Sequence, residues 1–512
     1  RFRPHDRGDG VPTVRRRVRV EQNATARVTL AVPLLRGRNS GRLDVLIDGG
    51  PVEGLRQDLN LAAPAEGELP QPSLLVISPG AVETAGFEAA ALAEVRSWGD
   101  PSYPPGHFLA GQANPGEVRR AVVDPSLLPA SWIDYTAVDL VAVRLDTLAA
   151  LRPDERAALF DWVAAGGRLI VHAVGPAPGE SEELRRLLGP RGTAGDASWR
   201  PAQAAGRQPL PLDIPTFDGA GIPNEGNPLT SGMLPPELGQ IVDQFGGGFD
   251  PAGALAVRNS LPTWPAEPVP FALRRFGFGH VAAVSGDIGT ASGADWAWLL
   301  RELGGPTVVW PVRHGITSGD GDLEFINLPI PGVRGVPTAA FLTLITLFTL
   351  AIGPVNYFLL WRKARLSRLV VTVPALAAAT SVLLFAYAAV AHGFGTKGRV
   401  RSVTLLDPAT NTATSVSRLS LFSGLAPSGG LRFSKQTAVY PLYPFEEGFV
   451  DGEVDWTETQ ALTAGWLKTR TRTQFVTLNR RDERGRLTVT PTAGGLRVVN
   501  GFAVPLTHLV VT

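Results

Sequence analysis

Three residues of this chain stand where an acyl-transfer site would need them. Ser78 closes the apolar run Ser73–Gly80 (SLLVISPG), Asp146 follows Asp139–Leu145 (DLVAVRL), and His172 closes Arg168–Ala173 (RLIVHA). If these runs are neighbouring parallel strands, all three side chains reach the C-terminal edge of one sheet. Open α/β sheets hold their ligands there. A serine nucleophile, His172 as its base and Asp146 as the orienting carboxylate would then suit a hydrolase or a carbohydrate-processing enzyme. The alternative gives each residue a structural role: Ser78 starts the turn Ser78-Pro79-Gly80, Asp146 caps the next segment, and His172 is a strand-end residue with a satisfied ring. We adopt the structural reading, because the case for a triad rests on position in a sheet alone.

Other chemistry is sparse. There is no cysteine, so no thiol nucleophile, cysteine–zinc site or iron–sulfur cluster is possible. The seven histidines (His5, His107, His172, His280, His314, His392, His508) form no HxxH or HExxH pair. We expect neither a metal nor a cofactor. No GxxxxGK[ST] phosphate loop occurs, and Ser318 in ITSGDG lacks the frame of a nucleophile elbow. Gly277–His280 (GFGH) has Ala282 where a dinucleotide fingerprint would carry its third glycine. It also lies between two strand-like runs of Pro270–Asp287, so we read it as a hairpin turn. A net charge of +1 on 512 residues gives no field to attract nucleic acid.

The elements that would position these residues follow from periodicity. Val14, Val18 and Val20 alternate with arginines, and ARVTLAVPLL and RLDVLIDG follow after short turns, which predicts a small β-sandwich module. Arg15–Arg17 would then be the solvent face of a half-buried strand. Leu61–Pro72 is rich in Ala, Pro, Glu and Gly and reads as a linker. Thr84–Trp98 suits a helix after the first buried strand. In Tyr135–Gly175, Pro153 sits at a helix N1 position with Asp154 and Glu155 in the first turn. Leu159, Trp162 and Val163 make its apolar face, and Gly166-Gly167 closes it. Strand, helix and strand with tight links imply a right-handed βαβ unit. Gly189–Pro270 is dense in Gly and Pro and reads as insertions around the sheet. Asp295–Leu303 is a short amphipathic helix. After residue 392, VRSVTLLD, ATSVSRLSLF, TQFVTLN, RLTVTP and LRVVNGF predict a second β domain.

Pro337–His392 has a different character. Thr338–Leu360 and Leu369–Val390 contain no charged residue, and each is long enough to cross a bilayer as a helix. Between them Arg362, Lys363, Arg365 and Arg368 form a basic link without an acid, the mark of the cytoplasmic side. Pro354 and Asn356 would break the first span near its inner end, and Pro374 lies in the second. All three are candidates for contacts between helices. The start RFRPHDRGDG has neither Met nor an apolar leader, so we expect an export signal to have been removed. The end THLVVT falls within a strand pattern, so we expect the chain to continue past Thr512.

Two stretches carry a resemblance. YTAVDLVAVRLDTLAALRPDERAALFDWVAAGGRLIV and IGPVNYFLLWRKARLSRL resemble a group of bacterial two-span membrane proteins with a class I glutamine amidotransferase-like domain. The resemblance implies a flavodoxin-like α/β core in a bacterial cytoplasmic membrane protein. It does not imply amidotransferase activity, which needs a cysteine nucleophile. The expected fold class is multidomain α/β plus all-β. It comprises a β module and linker (1–66), an α/β domain with insertions (67–313), a linker (314–336), a two-helix membrane segment (337–392, spans 338–360 and 369–390, inner loop 361–368) and a C-terminal β domain (393–512). The expected role is a non-catalytic extracytoplasmic platform, with the bilayer and other envelope proteins as partners.

Overall fold

The computed structural model describes residues 1–4, 12–62 (except 27 and 33–37), 71–98, 118–189, 200–201, 271–316, 328–442 (except 332, 334–337, 393–394, 409, 426 and 428) and 452–506 (except 493–494). The insertions expected over 189–270 lie almost wholly outside the described residues.

The first strands are β1 (Phe2–Pro4), β2 (Thr13–Arg15), β3 (Arg38–Ile47) and β4 (Gly50–Ala62). Only Thr13–Arg15 of the arginine–valine stretch joins a ladder; residues 16–21 are exposed and outside any strand. ARVTLAVPLL supplies no described strand, whereas β3 and β4 form the long hairpin.

The α/β part is built on β5 (Ser73–Ile77), β6 (Arg119–Val123), β7 (Leu140–Arg144), β8 (Arg168–His172), β9 (Arg200–Pro201), β10 (Phe271–Phe276) and β11 (Gly279–Val284). Their order is β6-β5-β7-β8-β11-β10-β9. The first five neighbours pair in parallel, while β10 pairs antiparallel with both β11 and β9. The parallel strands therefore follow the order 2-1-3-4-5 of a doubly wound sheet, whose crevice opens between its first and third strands. Here those are β5 and β7. Both faces are covered, which is why these strands read as continuous apolar runs. Leu74, Val76, Leu140, Ala142 and Ile170 face a core completed by helix α1 (Ala85–Trp98) and the later helix Gly293–Glu302. Val141, Val143, Leu169 and Val171 face the other core, against Leu159, Trp162 and Val163. β10 and β11 form the expected hairpin, with Gly277 at φ 65° in its turn.

Between β7 and β8 run α2 (Leu145–Ala150) and α3 (Pro153–Ala164). The end of α3 is capped from afar. Arg168 and Arg313 both donate to Gly166 O, and the His314 ring lies 2.9 Å from both Ala165 O and Trp310 O. Cationic and N–H groups at a helix C-terminus satisfy its last carbonyls. His314 is thus a buried part of the α/β core, where the sequence reading placed the start of a linker.

The apolar stretch is helical. The α/β part also holds α4 (Glu182–Leu188), α5 (Gly293–Glu302) and α6 (Trp310–Arg313); the apolar stretch then runs as α7 (Thr338–Leu350), a π turn at Ala351–Val355, α8 (Asn356–Arg362) and α9 (Leu369–His392). Pro354 falls in the π turn, which absorbs its missing N–H without ending the helix. Pro374, near the start of α9, leaves that helix continuous. Among the described residues one helix, Ile345–Arg362, is long and apolar enough to cross a membrane, and 6% of it is buried. A shorter apolar stretch is Leu366–Val382.

The C-terminal strands are β12 (Thr396–Asp407), β13 (Thr412–Ser423), β14 (Leu431–Phe433), β15 (Thr437–Leu442), β16 (Glu453–Asp455), β17 (Gln460–Ala464), β18 (Arg472–Asp482), β19 (Leu487–Thr492) and β20 (Gly495–Asn500). One sheet is β12-β13-β18-β15; another is β14-β17-β16-β2-β1-β3-β4. The two ends of the chain therefore share a sheet, where the sequence reading separated a module at 1–66 from a domain at 393–512. The three-residue strands β1 and β2 bury Phe2 and Val14 within a sheet that β1 joins to β3 and β2 joins to β16, because a short isolated ladder cannot make a core. Arg15 pairs with Asp455 at 2.8 Å across this seam. Val14, Val454, Phe475 and the α3 side chains Leu159 and Trp162 belong to one continuous core. Trp310 Nε1 donates to Tyr440 Oη at 2.9 Å, and Arg480 pairs with Asp161 at 2.9 Å.

Candidate functional site at the strand edge

The C-terminal edge of the parallel sheet gathers Ser78, Arg144, Asp146, His172 and Asp287. β7 delivers Arg144, its last residue, into an ion-pair chain. One guanidinium nitrogen lies 2.6 Å from Asp287 Oδ2, and Nε lies 3.3 Å from Asp146 Oδ1. Asp146 also accepts from the Thr147 backbone N–H at 2.6 Å, in the first turn of α2. The Arg144 hydrogen bond holds its carboxyl below the ordinary carboxylate range. Burial works against the charge on Asp287, but the Gly289 N–H, His172 and Arg144 together hold it low as well.

His172 is buried at the end of β8. Its Nδ1 accepts from the Ile288 N–H at 3.4 Å and lies 3.6 Å from Asp287 Oδ1, beyond hydrogen-bond reach. The ring proton therefore sits on Nε2. Burial, with Arg144 adding to it, pushes His172 down to about 4, so the ring is neutral at pH 7. The next residue, Ala173, adopts φ 56°, a left-handed conformation that a non-glycine residue holds at some cost. Its N–H donates to Gly286 O at 2.9 Å, and this tie to the β11 end fixes the turn.

Ser78 stands apart from this cluster. Its N–H donates to Val123 O at 3.0 Å and its Oγ accepts from the Gly80 N–H at 3.2 Å. Among the described residues its hydrogen-bond partners are Val123 and Gly80; neither His172 nor Asp146 is one. The carboxylate nearest His172 is Asp287, with Arg144 standing between it and Asp146. In a triad the imidazole Nδ1–H donates to the carboxylate, whereas here Nδ1 is an acceptor from backbone. Among the described residues this edge presents a guanidinium flanked by two carboxylates, and Ser78 is not hydrogen-bonded to His172.

Asp287 and Arg144 escaped the sequence reading. The signal was present, since Asp287 ends the run Pro270–Asp287, but only the position of β11 beside β8 brings it to His172. Among the described residues no cluster of His, Asp or Glu suits a metal ion. In the apolar helices, Asn356 Nδ2 donates to Thr372 Oγ1 at 3.0 Å, joining α8 to α9. Arg362, Lys363, Arg365 and Arg368 are all exposed. Comparison with protein-family models, curated proteins and solved structures finds no match.

Proposed function

We propose that this chain is a non-catalytic, membrane-anchored extracytoplasmic platform that serves as an accessory or structural subunit of a larger membrane or envelope assembly. One topological observation carries the reading. β2, from before the apolar helices, lies beside β16, from after them, and Val14 and Val454 share a core. Both flanks of the helices thus belong to one folded body, which can lie on only one side of a bilayer. On this membrane-anchored reading the connecting segment crosses an even number of times, and we assign the two passes to α7–α8 and α9. Their side chains support this: Val370 is 79% exposed, Val382 69% and Leu342 62%. Apolar surface of that extent needs lipid or a partner. The exposed basic residues Arg362, Lys363, Arg365 and Arg368 favour a cytoplasmic link and an outer body. The self-satisfied ion pairs at the strand edge and the detached Ser78 favour binding over catalysis.

The chain has no cysteine, so single introduced thiols report topology without background. In intact cells an impermeant maleimide should label Leu425→Cys directly and Ser367→Cys only after permeabilisation. Labelling of both from the same side would overturn the two-pass topology. Purification in mild detergent should bring a stoichiometric partner; a clean monomer would overturn the accessory-subunit role.

A further inference from the structure

Past β2 the chain leaves its sheet as a projecting loop. The loop is tied down at its base. Arg17 N–H donates to Thr457 Oγ1 at 3.0 Å, and Arg16 donates to Thr29 O at 2.8 Å, which links the outgoing stretch to the returning one. Trp456 Nε1 holds the returning stretch through Ala31 O at 3.0 Å. Beyond these ties residues 18–26 are exposed. The chain reverses at Glu21–Ala24, where the Ala24 N–H donates to Glu21 O at 3.0 Å and Asn23 takes φ 60°.

The tip reads Glu21-Gln22-Asn23-Ala24-Thr25. Asparagine with Ser or Thr two residues on, and no proline between, is the acceptor pattern for an N-linked saccharide. Of the twelve asparagines in the sequence, Asn23 alone has it. Three residues arise easily by chance, so the placement decides. A left-handed position in a turn favours asparagine on conformational grounds. That accounts for Asn23 but not for a hydroxyl at position 25. Among the described residues neither the Asn23 amide nor the Thr25 hydroxyl has a hydrogen-bond partner, and both side chains are exposed, so neither holds the loop in shape.

We infer that Asn23 is the acceptor of an N-linked oligosaccharide, transferred from a lipid-pyrophosphate donor by a membrane transferase on the outer face. The inference rests on the outer position of the body proposed above. In the transfer, Asn23 Nδ2 forms a bond to the anomeric carbon of the first sugar. The bond from that carbon to the pyrophosphate oxygen breaks, and the lipid pyrophosphate leaves with the electron pair. One Nδ2 proton passes to a base of the transferase. An amide nitrogen is a weak nucleophile, because its lone pair is shared with the carbonyl. The transferase must therefore grip the side chain and turn it out of conjugation. That requires an amide not already engaged and a backbone that stands clear of the fold on both sides, which this tip supplies. The unengaged Thr25 hydroxyl gives the transferase its second hold. A bulky saccharide keeps this corner of the body in solvent, so a partner subunit docks elsewhere.

The test takes the full chain purified from its native membrane in mild detergent and digested with trypsin, which releases Val20–Arg27 (VEQNATAR). Tandem mass spectrometry should find this peptide carrying hexose or N-acetylhexosamine units and localise them to Asn23. Thr25→Ala should abolish the modified form, and Thr25→Ser should keep it. Thr25 is exposed, so the fold does not depend on it. A peptide that is unmodified in the wild type overturns the inference, as does a saccharide on Thr25 in place of Asn23, or a modified form that survives Thr25→Ala. Asn23→Cys reads the topology separately, since the chain has no other cysteine. If an impermeant maleimide labels it in intact cells while the wild-type peptide is unmodified, the glycan alone fails. If it is labelled only after permeabilisation, the outer body fails and the glycan with it.

Discussion

Asp139 is a buried carboxylate that joins two elements of the α/β core, and replacing it tests how the fold is held. It is buried just before β7 and uses both oxygens. Oδ2 accepts from the Ser73 N–H at 2.8 Å and the Ser73 hydroxyl at 2.7 Å, which sets the start of β5 beside β7. Oδ1 accepts from the Trp310 N–H, which fixes α6 beneath the sheet. Its charge also favours the protonated form of buried Arg313, which burial pushes down to about 9. Asp139→Ala would leave two buried N–H groups without acceptors and a buried guanidinium without its counter-charge. Breaking one partner of a buried pair costs about 3–5 kcal/mol. At roughly 2–4 °C per kcal/mol for a unit of this kind, the thermal midpoint should fall by about 10 °C. Asp139→Asn keeps the shape and one acceptor and should cost about 1–2 kcal/mol. The pH profile adds a sign. Burial raises Asp139 above its ordinary value of 3.8 despite its hydrogen bonds. Its favourable contribution is complete below 3.8 and declines as pH rises through the raised value. The stability difference between Asp139→Asn and wild type should therefore shift in favour of the variant as pH rises from about 4. Differential scanning fluorimetry of the full chain in detergent reads both effects. An alanine variant within about 2 °C of wild type, or an asparagine variant less stable than alanine, would refute this account.

Three further outcomes are expected. His172, held down at about 4 against an ordinary 6.5, contributes stability above pH 6.5 that is lost as pH falls through 4; His172→Gln should reduce proton uptake on unfolding by about one over that range, read from midpoints against pH. A methyl group on Gly279 would collide with the carbonyls of Val163 and Gly167, so Gly279→Ala should cost about 1–3 kcal/mol and loosen the β10–β11 hairpin, measured by amide exchange. Asn356→Ala should weaken the α8–α9 contact by about 1 kcal/mol; in a cycle with Thr372→Val, read by cross-linking of introduced cysteines, additive effects would show that the hydrogen bond contributes nothing.

Elements with local causes are legible in the residues themselves. Pro153 with Asp154 and Glu155 starts α3, Gly166-Gly167 ends it, and the uncharged runs around Arg362–Arg368 are helices with a short link. The apolar strands β5, β7 and β8 were legible because both their faces are buried. Tertiary structure alone decided which distant groups meet. It gave His172 Asp287 as its neighbour in place of Asp146, because register places β11 beside β8 and turns Arg144 between the two carboxylates. It drew His314 under the sheet to cap α3. It also merged the first and last strands into one sheet. Short strands such as Thr13–Arg15 carry too little apolar surface to declare a partner, and their pairing depends on the edge that the rest of the fold leaves open.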